Sequence, residues 1–244
     1  NIKWKKNNTF QNIHTIFPDI LSGICKKNNI DQFIHLSALG IEKANDSKYA
    51  KSKMDGEVLI VKNFKKSIIL KPSLVYSVDD NFTTKFMTLL NLMPFFPLYY
   101  NGQTKFAPIH VTDMAEIIFQ IVNKKINTEI IECVGPNILT FKEIIEKLLK
   151  SIDKKRLLLP IPLSFARIAA YSFEILMRNP LMTNDQLKLL RYDNIPSGLF
   201  KVNENFNFIA EKKFDVEIEK YSYMWKENGE YAKNLKKETI KKWL

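Results

Sequence analysis

Between Phe10 and Tyr76 the apolar residues alternate between helical spacing and short continuous runs, and this alternation restricts the fold more than any other property of the chain. Phe10, Ile13, Phe17, Ile20, Leu21 and Ile24 recur at helical spacing as far as the polar "KKNN". "FIHLS" (Phe33 to Ser37) then reads as a strand, the stretch that begins "SKYAKSKMDGE" at Ser47 as a helix, and "SIILKPSLVY" (Ser67 to Tyr76) opens as a strand apolar enough to be covered on both faces. Further along, "TTKFMTLLNLM" (Thr83 to Met93) reads as a helix and "FAPIHV" as a short strand. Thr112 is placed to cap a helix whose apolar face is Met114, Ile117, Ile118 and Ile121. "EIIECVG" and "RLLLPIP" are further strands, and Thr140 with Glu143 and Thr183 with Gln186 have the spacing of capping boxes. The last forty or so residues mix charges and aromatics, and "FNFIAEKKFDVEIE" has little clear periodicity. Strands alternating with helices predict an α/β fold, a sheet with helices on both faces followed by a smaller, mostly helical C-terminal lobe. The expected division is 1–125 for the sheet domain and 126–244 for the lobe and tail.

Charge and cysteines narrow the partners. The net charge of +11 is carried mainly by scattered lysine pairs, and only four residues are arginine. Nucleic-acid binding would gather arginine, glycine and aromatics on one element, so it is not expected. A solvated surface, or attraction to an acidic partner or an anionic membrane surface, is. Cys25 and Cys133 lie far apart in apolar patterns, without metal-ligand spacing to the three histidines, and are read as buried free thiols in a reducing compartment with no metal site. No apolar run has transmembrane length. The best candidate, Pro162 to Met177, carries Arg167 and Glu174 and reads as an amphipathic helix.

Tyr49 and Lys53, four residues apart, fall on one face of their helix, where an ammonium beside a phenol would favour the phenolate. Such a pair alone arises easily by chance in a lysine-rich chain. Its setting adds weight: Ser37 ends the preceding strand and Lys71-Pro72-Ser73 closes the next, so all three clusters fall at the carboxyl ends of sheet strands, where open α/β sheets bind ligands. A serine that orients an oxygen, a tyrosine that exchanges its proton and a lysine that holds a ribose would make one proton-transfer site.

"FIHLSALG", "YAKSK", "LKPSLVY" and "FAPIHVTDMAE", in that order, resemble the extended and atypical short-chain dehydrogenase/reductase families, related to NAD-dependent epimerases and dehydratases. The chain is most similar to the NAD(P)H-binding accessory subunits of respiratory complex I and their alphaproteobacterial relatives. "LLPIPLSFARIAA" and "PLMTNDQLKLLRYDN" resemble their C-terminal lobe, and the likeness runs from about Phe10 to Ser197. It implies a Rossmann-like doubly wound sheet binding NAD or NADP, with Ser37, Tyr49 and Lys53 as the catalytic triad. Tyr49, Lys53, Pro72 and Ser73 would face the cofactor, Asp113 would cap a helix without doing chemistry, and "PFFPLYYNGQTKF" would line a substrate pocket. The implied role is to hold a dinucleotide within a respiratory or quinone-related assembly, in a mitochondrial matrix or on the cytoplasmic side of a bacterial inner membrane. The rivals are an active reductase or epimerase and a membrane-peripheral module without cofactor. The family's glycine-rich dinucleotide loop has no counterpart among the seven scattered glycines. With a start in mid-pattern at Asn1, a fragment of a longer protein is expected in preference to a truncated relative. "VYSVDD" also lacks the glycine that follows the tyrosine in many active members.

Overall fold

A computed structural model describes residues 9–126, 129–176, 180 and 182–234. A π-helical stretch, Gln11–Ile16, runs into α1 (Phe17–Lys27), followed by β1 (Phe33–Leu36), α2 (Lys48–Asn63) and β2 (Ser67–Pro72). Then come β3 (Val75–Tyr76), α3 (Thr83–Leu92), β4 (Phe95–Leu98), β5 (Lys105–Phe106), β6 (Ile109–His110) and α4 (Val111–Asn123). The second half holds β7 (Glu129–Cys133), β8 (Leu139–Thr140), α5 (Phe141–Ser151), β9 (Leu157–Pro160), α6 (Leu163–Leu176), α7 (Asn184–Leu189), β10 (Lys201–Val202) and α8 (Phe214–Ser222).

The main sheet is parallel throughout, in the order β1-β2-β7-β10. β2 lies between two neighbours, which is why Ile68, Ile69 and Leu70 are all buried: a strand paired on both edges and covered on both faces has no polar side. On one face Met114, Ile117 and Ile121 of α4 meet Ile68, Leu70 and Ile131. On the other, Phe33 packs with Ile60 of α2, with Phe64 just past its end, and with Leu21 and Cys25 of α1. A second, aromatic-rich core joins α3, α5 and α8 through Phe86, Phe141, Ile145, Phe214 and Ile218.

The α/β class, the parallel sheet and both capping boxes agree with the sequence reading, the boxes at Thr140/Glu143 and Thr183/Gln186. Three expectations need revision. The sheet takes β7 and β10 from beyond residue 126 and the aromatic core takes α3 from before it, so a cut at 125/126 separates neither layer. His110, not Thr112, is the residue that caps α4, its ring nitrogen accepting from Thr112 N–H. The stretch without clear periodicity contains most of α8, whose burial is decided by the neighbours it meets. Of the two free cysteines Cys133 is buried and Cys25 only partly so, and the described residues contain no metal-ligand cluster and no helix able to span a membrane. The ends of the stretches read as Pro162 to Met177 and "PLMTNDQLKLLRYDN", at Met177 and Leu181, lie outside the described residues.

Candidate functional site

The carboxyl ends of β1 and β2 open onto a cavity of 290 Å³. Its sheet side is Ala38, Gly40, Tyr49, Pro72 and Ser73, and its far wall comes from the aromatic core and α7, including Phe82, Phe106, Phe141 and Gln186. Two contacts between distant parts of the chain hold these walls together. Ser47 caps α2, its hydroxyl accepting from Ala50 N–H at 3.2 Å. The carboxylate of Asp185, at the start of α7, accepts from Ser47 Oγ at 2.9 Å, Lys48 N–H at 2.8 Å and Tyr49 N–H at 3.1 Å, so the lobe supplies the negative group that this helix terminus favours. Asn194 is the second clasp. Its Nδ2 donates to Leu39 O at 2.5 Å, and its Oδ1 accepts from Ser73 Oγ at 2.6 Å. Neither Asp185 nor Asn194 was among the residues expected from sequence, because nothing local marks an Asp or Asn that acts more than a hundred positions away.

Tyr49 and Lys53 share a helix face as expected. The Lys53 ammonium lies 5.7 Å from the centroid of the Tyr49 ring and donates to Leu36 O at 3.0 Å. The ring is met edge-on by His14 and Phe10, at centroid distances of 5.2 and 5.9 Å. Burial dominates its acidity and raises the phenol to about 12, while burial also lowers the Lys53 ammonium, opposed by Glu57. The expected depression of the tyrosine by the lysine is therefore overridden by desolvation.

Ser37 departs further from its expected role. Its buried hydroxyl donates to Glu57 Oε1, and Glu57 Oε2 lies 2.8 Å from Lys71 Nζ, which also pairs with Glu42. Ser37 and Ala38 both lie just beyond the end of β1, and it is Ala38 that lines the cavity. Ser37 thus belongs to a buried ion-pair network with Lys71. Pro72 and Ser73 do line the cavity, but Ser73 Oγ is engaged with Asn194 and accepts from Ala107 N–H at 3.1 Å, and Pro72 O accepts from Leu39 N–H at 2.9 Å. Of the loop expected at the pocket, Phe106 reaches it, whereas Leu98, Asn101 and Gln103 line a different groove. Asp113 sits in the first turn of α4 and accepts from Lys212 N–H at 2.9 Å, which ties down the C-terminal segment.

A nicotinamide dinucleotide finds partial complementarity here. Of the two residues expected at the ribose, Tyr49 lines the cavity, whereas Lys53 shares its helix face but donates to Leu36 O and is not among the lining residues. For the phosphate half, no closely spaced glycines are found among the described residues. A Cβ on Gly56 would lie 1.9 Å from His14 O and one on Gly135 1.7 Å from Pro108 O, so these glycines admit the protein's own backbone, not a ligand.

The parallel sheet, its flanking helices and this cavity make the fold Rossmann-like. Solved structures bear this out: a dTDP-glucose 4,6-dehydratase from Bacillus anthracis in complex with NAD superposes with a TM-score of 0.65 at 16% identity, over 93% of this chain and 71% of that one. A UDP-glucuronic acid 4-epimerase from Bacillus cereus, in complex with UDP-glucuronic acid and NAD, does so with 0.61 at 19%, over 96% and 72%. No protein-family model matches the chain. Among curated proteins it is similar to the mitochondrial NADH dehydrogenase (ubiquinone) 1 alpha subcomplex subunit 9 of Dictyostelium discoideum, 26% identical over 65% of this chain and 45% of the relative. It is also similar to the mitochondrial NADH-ubiquinone oxidoreductase 40 kDa subunit of Neurospora crassa, 24% identical over 78% and 50%. The chain thus spans about half the length of the curated relatives it matches.

Proposed function

We propose that this chain is the nicotinamide-side part of an NAD(P)H-binding protein of short-chain dehydrogenase/reductase type that acts as an accessory component of a mitochondrial respiratory NADH:quinone oxidoreductase, on the matrix side. The partner and location rest on the similarity to complex I subunits. The observation that carries the holding role over catalysis is the direction of Ser37: its hydroxyl is committed to Glu57, and an alanine stands where a proton-transfer site would place a hydroxyl. A phenol raised to about 12 is poorly poised as an acid-base group at neutral pH. In this reading Tyr49 and Lys53 hold the ribose, Pro72 and Ser73 form the wall beside the nicotinamide ring, and NAD(P)H serves as a structural ligand. The cavity's 290 Å³ lies at the lower edge of the range of about 300–1,000 Å³ typical of small-ligand pockets, which favours one ring system over a sugar nucleotide.

The test is the nucleotide content of the purified respiratory assembly. Lys53→Met is expected to lower retained NAD(P)H about tenfold, the order of one charge-assisted contact, while Tyr49→Phe leaves assembly and electron transfer unchanged. The second reading, a reductase or epimerase, is favoured by the position of Tyr49 on the cavity wall. Nucleotide-coupled turnover that disappears in Tyr49→Phe would replace the holding role with this one.

A further inference from the structure

A groove of 620 Å³ lies away from the cavity beside Tyr49. It is lined by Lys142, Lys150, Lys154, Lys155 and Arg156, with Glu146 as its one carboxylate. Lys142 pairs with Glu146 at 3.7 Å, and Arg156 donates to Leu90 O and Asn91 O at 2.8 and 3.2 Å. The ammonium groups of Lys150, Lys154 and Lys155 have no ion-pair partner among the described residues, and neighbouring Asp153 is already paired with Lys226 at 2.8 Å. The groove therefore carries a surplus of positive charge that the carboxylates of the described residues do not neutralise.

The second observation is α6, which follows the lysine cluster and β9 directly along the chain. Ala166 and Ala170 seat this helix on Tyr99, in the turn whose Asn101 lines the groove. The small residues face inward and the large ones outward: Phe165, Ile168, Tyr171 and Ile175 are 67, 65, 62 and 64% exposed. Leu157 and Phe95, register partners in β9 and β4, are also exposed. A soluble surface rarely gathers so many large apolar side chains beside unpaired lysines. A helix lying in the plane of an anionic bilayer uses both, burying the apolar stripe at the acyl boundary while lysines meet headgroup phosphates.

We propose that α6 and the groove of Lys150, Lys154 and Lys155 form a docking face for an anionic phospholipid surface. The inference is independent of the nucleotide site. Charge complementarity selects the occupant, since an exposed apolar helix alone would suit a protein partner equally well.

Flotation of the whole chain with vesicles tests it. Binding is expected to vesicles of phosphatidylcholine mixed with phosphatidylglycerol, to be released by raised salt, and to be absent from phosphatidylcholine alone. Lys150→Glu, Lys154→Glu and Lys155→Glu combined should weaken binding about a hundredfold. Lys51→Glu and Lys62→Glu on α2 with Lys66→Glu in the turn that follows it, the same change in net charge, should weaken it much less. Phe165→Ser with Ile168→Ser should also lose binding at constant charge, with circular dichroism and Tm confirming that each variant is folded. Equal binding to neutral vesicles, equal loss in both lysine triples, or unchanged binding in the serine variant overturns the proposal. So does a groove that binds inorganic phosphate in the absence of vesicle binding, or a serine variant that loses only a protein partner.

Discussion

Lys71 is the residue whose environment differs most from what its neighbours in sequence suggest. It sits in β2, 1% exposed, between apolar positions, and is held by Glu57 and Glu42. Lys71→Met would leave two carboxylates without their cation, and a loss of about 3–5 kcal/mol in denaturant unfolding is expected, the usual cost of breaking a buried pair from one side. His14 and His35 give the second prediction at this scale. Burial, reinforced by Lys53, lowers both imidazoles from 6.5 to about 4, and His35 Nε2 is buried with no hydrogen-bond partner among the described residues. Between these values the unfolded chain binds protons that the folded one does not. Stability is then intact above about pH 6.5 and falls as the pH drops toward 4. Thermal melts over this range should show the decline, and His14→Gln with His35→Gln should flatten it.

At the scale of elements, the approach of the π-helical stretch to α2 positions the Tyr49 ring. Thr15 Oγ1 donates to Ser52 O at 2.8 Å, and Gly56 lets His14 O lie against the α2 backbone. Gly56→Ala would gain about 1 kcal/mol of helix propensity, yet its Cβ would fall 1.9 Å from that oxygen. A net fall in Tm is expected, with faster amide exchange at residues 11–16. Asp185→Ala should cost about 1–2 kcal/mol, the order of a lost helix cap, and loosen α7 from α2, again read by exchange at residues 48–50.

For the whole molecule, the half-formed cradle bears directly on affinity. The residues proposed to face the ribose and the nicotinamide ring are present, but the seven glycines are not closely spaced. Calorimetric titration of the chain with NADH or NADPH should therefore give weak or undetectable binding, and a micromolar Kd would show that the phosphate loop contributes little. The fold is insensitive to this, because its sheet and aromatic core close through β7, β10, α3, α5 and α8.

The sequence by itself determined the alternation of strands and helices, the burial of β2 on both faces, the two capping boxes and the shared face of Tyr49 and Lys53. Each depends on spacing within a few residues, which backbone geometry converts directly into position. Only the tertiary structure decided that Ser37 turns to Glu57 and leaves Ala38 at the cavity, since both lie past the end of β1, where the contacts they meet set their direction. It also decided that Asp185 and Asn194 clasp the site, that α8 has a buried face, and that desolvation outweighs Lys53 in setting the acidity of Tyr49. These depend on contacts between residues up to about 150 positions apart and on the dielectric they create together, neither of which has a local signature.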